Sequence, residues 1–185
     1  MPMKSSDAVL LVVPGWQGSG PDHWQSRWER SLSAARRVMQ ADWDRPDAAE
    51  WPQRLAEAVA AAEKPVVVIA HSLGVPTLVH AVPLLPAGKV RAAFLVAPPD
   101  LDRADIDPAI AGFAPVPTAP LPFPSVLVAS RTDPYCDYRR AEGFALDWGA
   151  AIVDAGDAGH INAEAGYGPW PEGSVRLLGL LQSLG

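Results

Sequence analysis

A chain of 185 residues with 20 prolines, 15 glycines and one cysteine is long enough to bury roughly 70% of the surface its unfolded form exposes, so no disulfide or metal staple is required. Its 21 acidic and 15 basic residues give a formal charge of −6 and are scattered, with no basic run to track a phosphate backbone, which argues against nucleic acid as a partner. The opening MPMKSSDAVLLVVPG carries one lysine and only the short apolar stretch before Pro14, too little for a signal sequence or a membrane span. The expectation is a soluble, cytoplasmic protein without membrane insertion. Cys136, with no second cysteine to pair with, fits a reducing compartment.

Taken in chain order, the first apolar run covers residues 8–13 and ends in a glycine-rich turn, GWQGSG. A helix is expected after Asp22, with Trp24, Trp28 and Leu32 on one stripe and Gln25 placed three residues after the cap, as in a capping box. A strand is expected near 38–41. A second helix follows Asp47, with Glu50 in the same relation, a stripe of Trp51, Leu55 and Val59, and a last part at 53–63 leading into the run 66–70. Further runs lie at 92–97, 126–129 and 150–153, separated by a proline-rich segment, 98–125, and by a helix that Asp137 starts. An amphipathic pattern at 174–184 closes the chain. The runs are short, rich in β-branched residues and bounded by turn formers, the pattern of strands buried on both faces. Strands alternating with helices predict one α/β domain, 1–185, built on a doubly wound, mainly parallel sheet, with sites at the carboxyl ends of the strands.

The stretch AHSLG stands at one such end. A strand that turns abruptly into a helix presents the turn residue, Ser72, on a strained backbone with its side chain free, and needs small neighbours where strand and helix nearly touch. Ala70 and Gly74 meet that need, with alanine in place of the first glycine of GxSxG, and Pro76 is tolerated in a helix's first turn. A serine nucleophile needs a base and a group to orient that base. SRTDPYCD, after the run 126–129, supplies Asp133, and DAGDAGHINAEAGYGPWP, after the run 150–153, supplies His160. The order Ser72, Asp133, His160 is that of α/β-hydrolases. An oxyanion hole is expected from the amide of Leu73 and, on the VVPGWQGSGPDHW loop, that of Trp16, with Gln17 as the next candidate.

VPGWQGSGPDHWQSRWE, AHSLGVPTLVHA, ASRTDPY and AGHINAEAGYGPWPEG together resemble the RBBP9/YdeN family of small serine hydrolases over residues 9–181. The resemblance implies a minimal three-layer α/β-hydrolase-type fold without a cap domain. It implies Ser72 as nucleophile, Asp133 as acid and His160 as base, acting without a metal or organic cofactor.

Other residues compete for these roles. His71 adjoins Ser72 and should point away from it, towards packing or a loop hydrogen bond; His80 is read as structural. His23 lies close to the oxyanion loop and is a candidate substrate contact. Asp157 shares the loop of His160, whereas the acid should come from the preceding strand's end, and Asp102, Asp105 and Asp107 form a solvated acidic stretch. Cys136 has no histidine beside it in sequence and takes no role. Trp24, Trp28 and Trp51 read as core anchors. Trp16 and Trp170 lie on site loops and are candidates for an apolar acyl pocket. Ile110, Phe113 and Phe123, in the lid-like segment 98–125, are candidates for one of its walls.

The chemistry expected is hydrolysis of a small acyl substrate, an ester, thioester or activated amide, through an acyl-enzyme. A peptidase or amidase would use the same residues, and a hydrolase-fold module binding a protein partner would leave them idle. A nucleotide-binding reading of GWQGSG is disfavoured, because neither the GxGxxG order nor a GK[ST] ending is present.

Overall fold

A computed structural model of the chain describes residues 3–184. Its strands are β1 (Val9–Val13), β2 (Ala35–Arg37), β3 (Val66–His71), β4 (Val90–Val96), β5 (Ser125–Ala129) and β6 (Ala151–Asp154). They form one six-stranded sheet in the order β2-β1-β3-β4-β5-β6, parallel throughout. The connections leave β1 towards β2 on one side and continue from β3 on the other, which opens a crevice at the carboxyl ends of β1 and β3.

Side-chain alternation sorts the core into two layers. Leu10, Val12, Val67, Ile69 and Phe94 face α1 (Trp24–Ser31) and α5 (Pro171–Gln182). Leu11, Val13, Val68, Ala70 and Leu95 face α2 (Glu50–Ala61), α3 (Gly74–Ala81) and α4 (Tyr138–Trp148). The central strands are closed on both sides, as their unbroken apolar runs require. The stripe residues Trp24, Trp51, Leu55 and Val59 are fully buried, each contributing about 1.5–3 kcal/mol or more through burial of its side chain. The three-layer α/β fold expected from the sequence is therefore present.

Several boundaries differ from expectation. β2 occupies Ala35–Arg37 rather than 38–41, because the parallel register with Leu10 to Val12 falls on those residues. Val38 adds one amide bond to the Val12 carbonyl, 2.9 Å, and Met39 is already exposed. As an edge strand β2 tolerates two arginines, and Arg37 reaches Glu29 at 2.9 Å. β6, the other edge, is exposed along most of its length rather than buried on both faces. α5 starts at Pro171, earlier than 174, since proline suits a first turn.

The caps also differ. His23, not Asp22, caps α1, its Nδ1 accepting the Gln25 amide at 3.1 Å; Asp22 pairs instead with Arg27. Gln25 closes no capping box: fully buried, its amide group donates to the Val13 and Ile69 carbonyls at the ends of β1 and β3. Asp47 does accept the Ala49 and Glu50 amides, both at 2.8 Å, while Glu50 turns to Arg54. Asp137 caps α4 as expected.

The segment 98–125 runs between β4 and β5 with one short 3-10 turn, Ala111–Phe113. Its Leu101, Phe113, Val116 and Phe123 are buried in the core that also holds α2 and α3, so it is anchored by apolar side chains as well as draped over the surface. Among the described residues no helix is long and apolar enough to cross a membrane.

Candidate active site

β3 ends at His71 and α3 begins at Gly74, leaving two residues to reverse the chain direction. Ser72 takes φ of +53°, a left-handed conformation that costs a non-glycine residue on the order of 1–3 kcal/mol and persists only where its surroundings enforce it. Its amide donates to the Val96 carbonyl at 3.0 Å and its carbonyl accepts the Val75 amide at 2.9 Å. Close packing enforces the turn. A Cβ on Gly74 would overlap the Val13 carbonyl and stand 2.9 Å from the Pro14 oxygen. One on Gly15 would lie 2.8 Å from Ser72 Cβ and 3.0 Å from the Leu73 nitrogen. The loop after β1 thus runs against the turn after β3.

Ser72, His160 and Asp133 meet across three strand ends. His160 Nδ1 lies 2.9 and 3.0 Å from the two Asp133 carboxylate oxygens, and its Nε2 lies 2.8 Å from Ser72 Oγ. A carboxylate accepts only, so Nδ1 carries the ring proton, Nε2 offers a lone pair, and the serine hydroxyl donates to it. The Asp133 and His160 side chains are only 3% and 9% exposed.

The loop carrying His160 is held from three directions. His71 Nε2–H donates to the His160 carbonyl at 2.9 Å, and the Trp24 indole N–H to the Ile161 carbonyl at 2.9 Å. From the Asp133 loop, Ser130 Oγ accepts the Ala158 amide at 2.9 Å and Thr132 Oγ1 accepts the Gly159 amide at 3.0 Å. Neither Ser130 nor Thr132 is a candidate site residue from sequence pattern alone. Hydroxyls three and one residues before the acid in SRTD were the available signal, but such residues are common in loops for other reasons.

A cavity of about 560 Å³ opens over Ser72 and His160, with Trp16, Gln17, His23, Tyr135 and Ile110 in its wall. The amides of Trp16 and Leu73 donate to no group among the described residues, whereas the Gln17 amide, at φ of +65°, is spent on the Trp43 carbonyl at 2.9 Å. This removes Gln17 as a second oxyanion donor. The Trp16 ring is fixed by its own N–H, which donates to the Asp44 carbonyl at 3.0 Å.

The model of the serine hydrolase family matches residues 10–179. The chain belongs to the serine hydrolase family. Among solved structures, it is similar to a protein from Pectobacterium atrosepticum described as a YdeN-like hydrolase, at 35% identity over 97% of this chain and 94% of that one, TM-score 0.86. The ydeN gene product of Bacillus subtilis is 17% identical over 92% and 97% of the two chains, TM-score 0.74. An esterase domain from Rhodothermus marinus is 15% identical over 100% and 91%, TM-score 0.70. The last two likenesses carry the fold alone. No curated protein matches the sequence.

The remaining histidines of this serine hydrolase are held apart from Ser72. His71 is buried, and burial, then the nearby His160 and His23, push its pKa well below the usual histidine value. Burial likewise brings His23 down to about 4, with His160 and Arg37 adding to the effect. Both rings therefore stay uncharged at neutral pH. His23 does line the cavity. His80 donates to the Phe113 carbonyl at 2.8 Å, away from the site.

Trp170 and Phe113 are not pocket residues. Trp170 is buried in the core layer beneath α1 and α5, stacked on Trp28 at 5.8 Å and edge-on to Trp24. Phe113 is fully buried against Trp51, 6.0 Å between rings, and Phe123 joins the same core; of the expected wall only Ile110 faces the cavity. Asp157 is exposed and Asp102 pairs with Arg140. Asp105 and Asp107 lie on the cavity rim, Asp105 in an ion pair with Arg103. The Cys136 thiol is buried and pushed up to about 12, chiefly by burial and secondarily by Asp133, so it carries no thiolate. Among the described residues no group of His, Cys, Asp and Glu could hold a metal ion.

Proposed function

We propose that the hydrolase cleaves carboxylic esters of small acids through an acyl-enzyme, with Ser72 as nucleophile, His160 as general base and Asp133 as the group that orients it. The observation that carries this reading is the unbroken contact from Asp133 through His160 to Ser72 Oγ, 2.8 Å from His160 Nε2, at the floor of an open cavity. As Ser72 Oγ bonds to the carbonyl carbon, its proton passes to Nε2 and the carbonyl oxygen takes the negative charge, which the free Leu73 and Trp16 amides are suited to receive. The proton then goes to the departing alkoxide, leaving the acyl group on Ser72. Water, deprotonated by His160, releases the acid by the same route.

Size and charge of the cavity narrow the substrate. A space of about 560 Å³ suits a small molecule. Its only arginine, Arg103, is spent on Asp105 and the Pro134 carbonyl, while Asp107 and Glu164 share the rim. Short, uncharged acyl groups are expected to be preferred. Among p-nitrophenyl esters, kcat/KM should peak at acetate to butyrate, and the hemisuccinate should react more slowly than the valerate at low salt, the gap narrowing as salt is added. A peak at long acyl chains, or a faster anionic ester, would refute this preference. No turnover of any ester would count against the esterase reading itself.

A further inference from the structure

We propose that Ser130 and Thr132 are positioning residues, whose hydroxyls fasten the loop of His160 to the loop of Asp133 and so set the contact between base and acid. This rests on the function proposed above. His160 follows β6 through Ala155, Gly156, Asp157, Ala158 and Gly159, and Gly156 and Gly159 both take positive φ. Such a segment has wide conformational freedom of its own. The geometry at its end must therefore be imposed from outside.

A ladder running out from the sheet imposes it on the side before the base, while His71 and Trp24 hold the His160 and Ile161 carbonyls. Beyond the last paired residues of β5 and β6, Ala129 and Asp154, the Ala155 amide donates to the Ala129 carbonyl and the Arg131 amide to the Gly156 carbonyl, both at 2.8 Å. The backbones then diverge, and side chains replace them. Ser130 Oγ accepts the Ala158 amide at 2.9 Å and the Thr132 amide at 3.2 Å, and donates to the Gly156 carbonyl at 3.3 Å. That uses its one proton and both lone pairs, in a residue only 2% exposed. Thr132 Oγ1 takes the Gly159 amide at 3.0 Å, and the next rung is Asp133 on His160. Two consecutive amides before the base are thus gripped by hydroxyls placed just before the acid. Neither hydroxyl touches Ser72 or faces the cavity, so both act through the Asp133–His160 contact.

A double-mutant cycle reads this directly. In the otherwise wild-type enzyme, Ser130→Ala should lower kcat on p-nitrophenyl acetate by about 10- to 100-fold, since misplacement by about 1 Å can cost 10²-fold, with little change in KM. Thr132→Val, at an exposed position that leaves the core intact, should act in the same direction and carries the test where Ser130→Ala fails to fold. Thr132→Ser, which keeps the hydroxyl, should restore turnover. In an Asp133→Asn background, where His160 is already held in the tautomer that cannot take the serine proton, the same substitutions should change kcat by less than about 2-fold, because residues acting as a unit are not additive. Equal fold-losses in both backgrounds, or no loss in the wild type, would overturn the positioning role alone. Full turnover in Asp133→Asn itself would overturn the proposed triad, and this role with it.

Discussion

Asp133→Asn is expected to lower kcat by about 10⁴-fold, the loss seen for this substitution in a comparable triad, while leaving the fold intact. Asparagine has the shape of aspartate, and its oxygen can still accept the Tyr135 amide, which Asp133 Oδ1 now holds at 2.9 Å. What changes is the partner offered to His160. The amide –NH₂ is a donor, so where it faces Nδ1 that nitrogen must become the acceptor and the ring proton moves to Nε2. Nε2 then points a proton at Ser72 Oγ, 2.8 Å away, and cannot take one from it. Steady-state turnover of p-nitrophenyl acetate, compared at equal thermal stability, checks this. Undiminished turnover would reject Asp133 as the orienting group.

Gly74→Ala should act on the fold first and on turnover through it. The Cβ would meet the Val13 carbonyl, the Pro14 oxygen and Val13 C, all backbone atoms at the end of β1, which is hydrogen-bonded to β2 and β3 on its two sides. No side chain can rotate away. Either the elbow moves off β1 or β1 shifts, and such overpacking costs on the order of 3 kcal/mol, a fall in Tm of about 6–12 °C for a chain of this size. The displaced elements are those that carry Ser72 and the Trp16 amide, so turnover should fall even well below Tm. Gly143→Ala is the matched control: nothing lies within 4 Å of its Cβ position in α4, and replacing a helical glycine there should stabilise by about 0.5–1 kcal/mol. An unchanged melting temperature in Gly74→Ala would contradict the packing account of the elbow.

Much of this arrangement was legible because β1, β3 and β4 are closed on both faces and must be apolar throughout, and because Ser72, Asp133 and His160 each lie within a few residues of a strand's carboxyl end. Legibility failed where the constraint is one-sided or three-dimensional. β2 is a short edge strand in which Arg36 and Arg37 are tolerated, so its residues carry no strand pattern. The rings of Trp170 and Phe113 stand near site loops in sequence, yet which side of the sheet they face depends on Trp28 and Trp51, their packing partners. Gln17 lost its amide to Trp43 through a positive φ that no neighbouring residue type announced. Ser130 and Thr132 bond backbone amides of a loop far along the chain, and such bonds leave no period to read.

Activation of Ser72 by His160 is read by intact-mass spectrometry after incubation with a fluorophosphonate. One adduct is expected on the wild-type chain and none on Ser72→Ala or His160→Ala over the same time. No adduct on a folded wild-type chain, or undiminished labelling of His160→Ala, would contradict it.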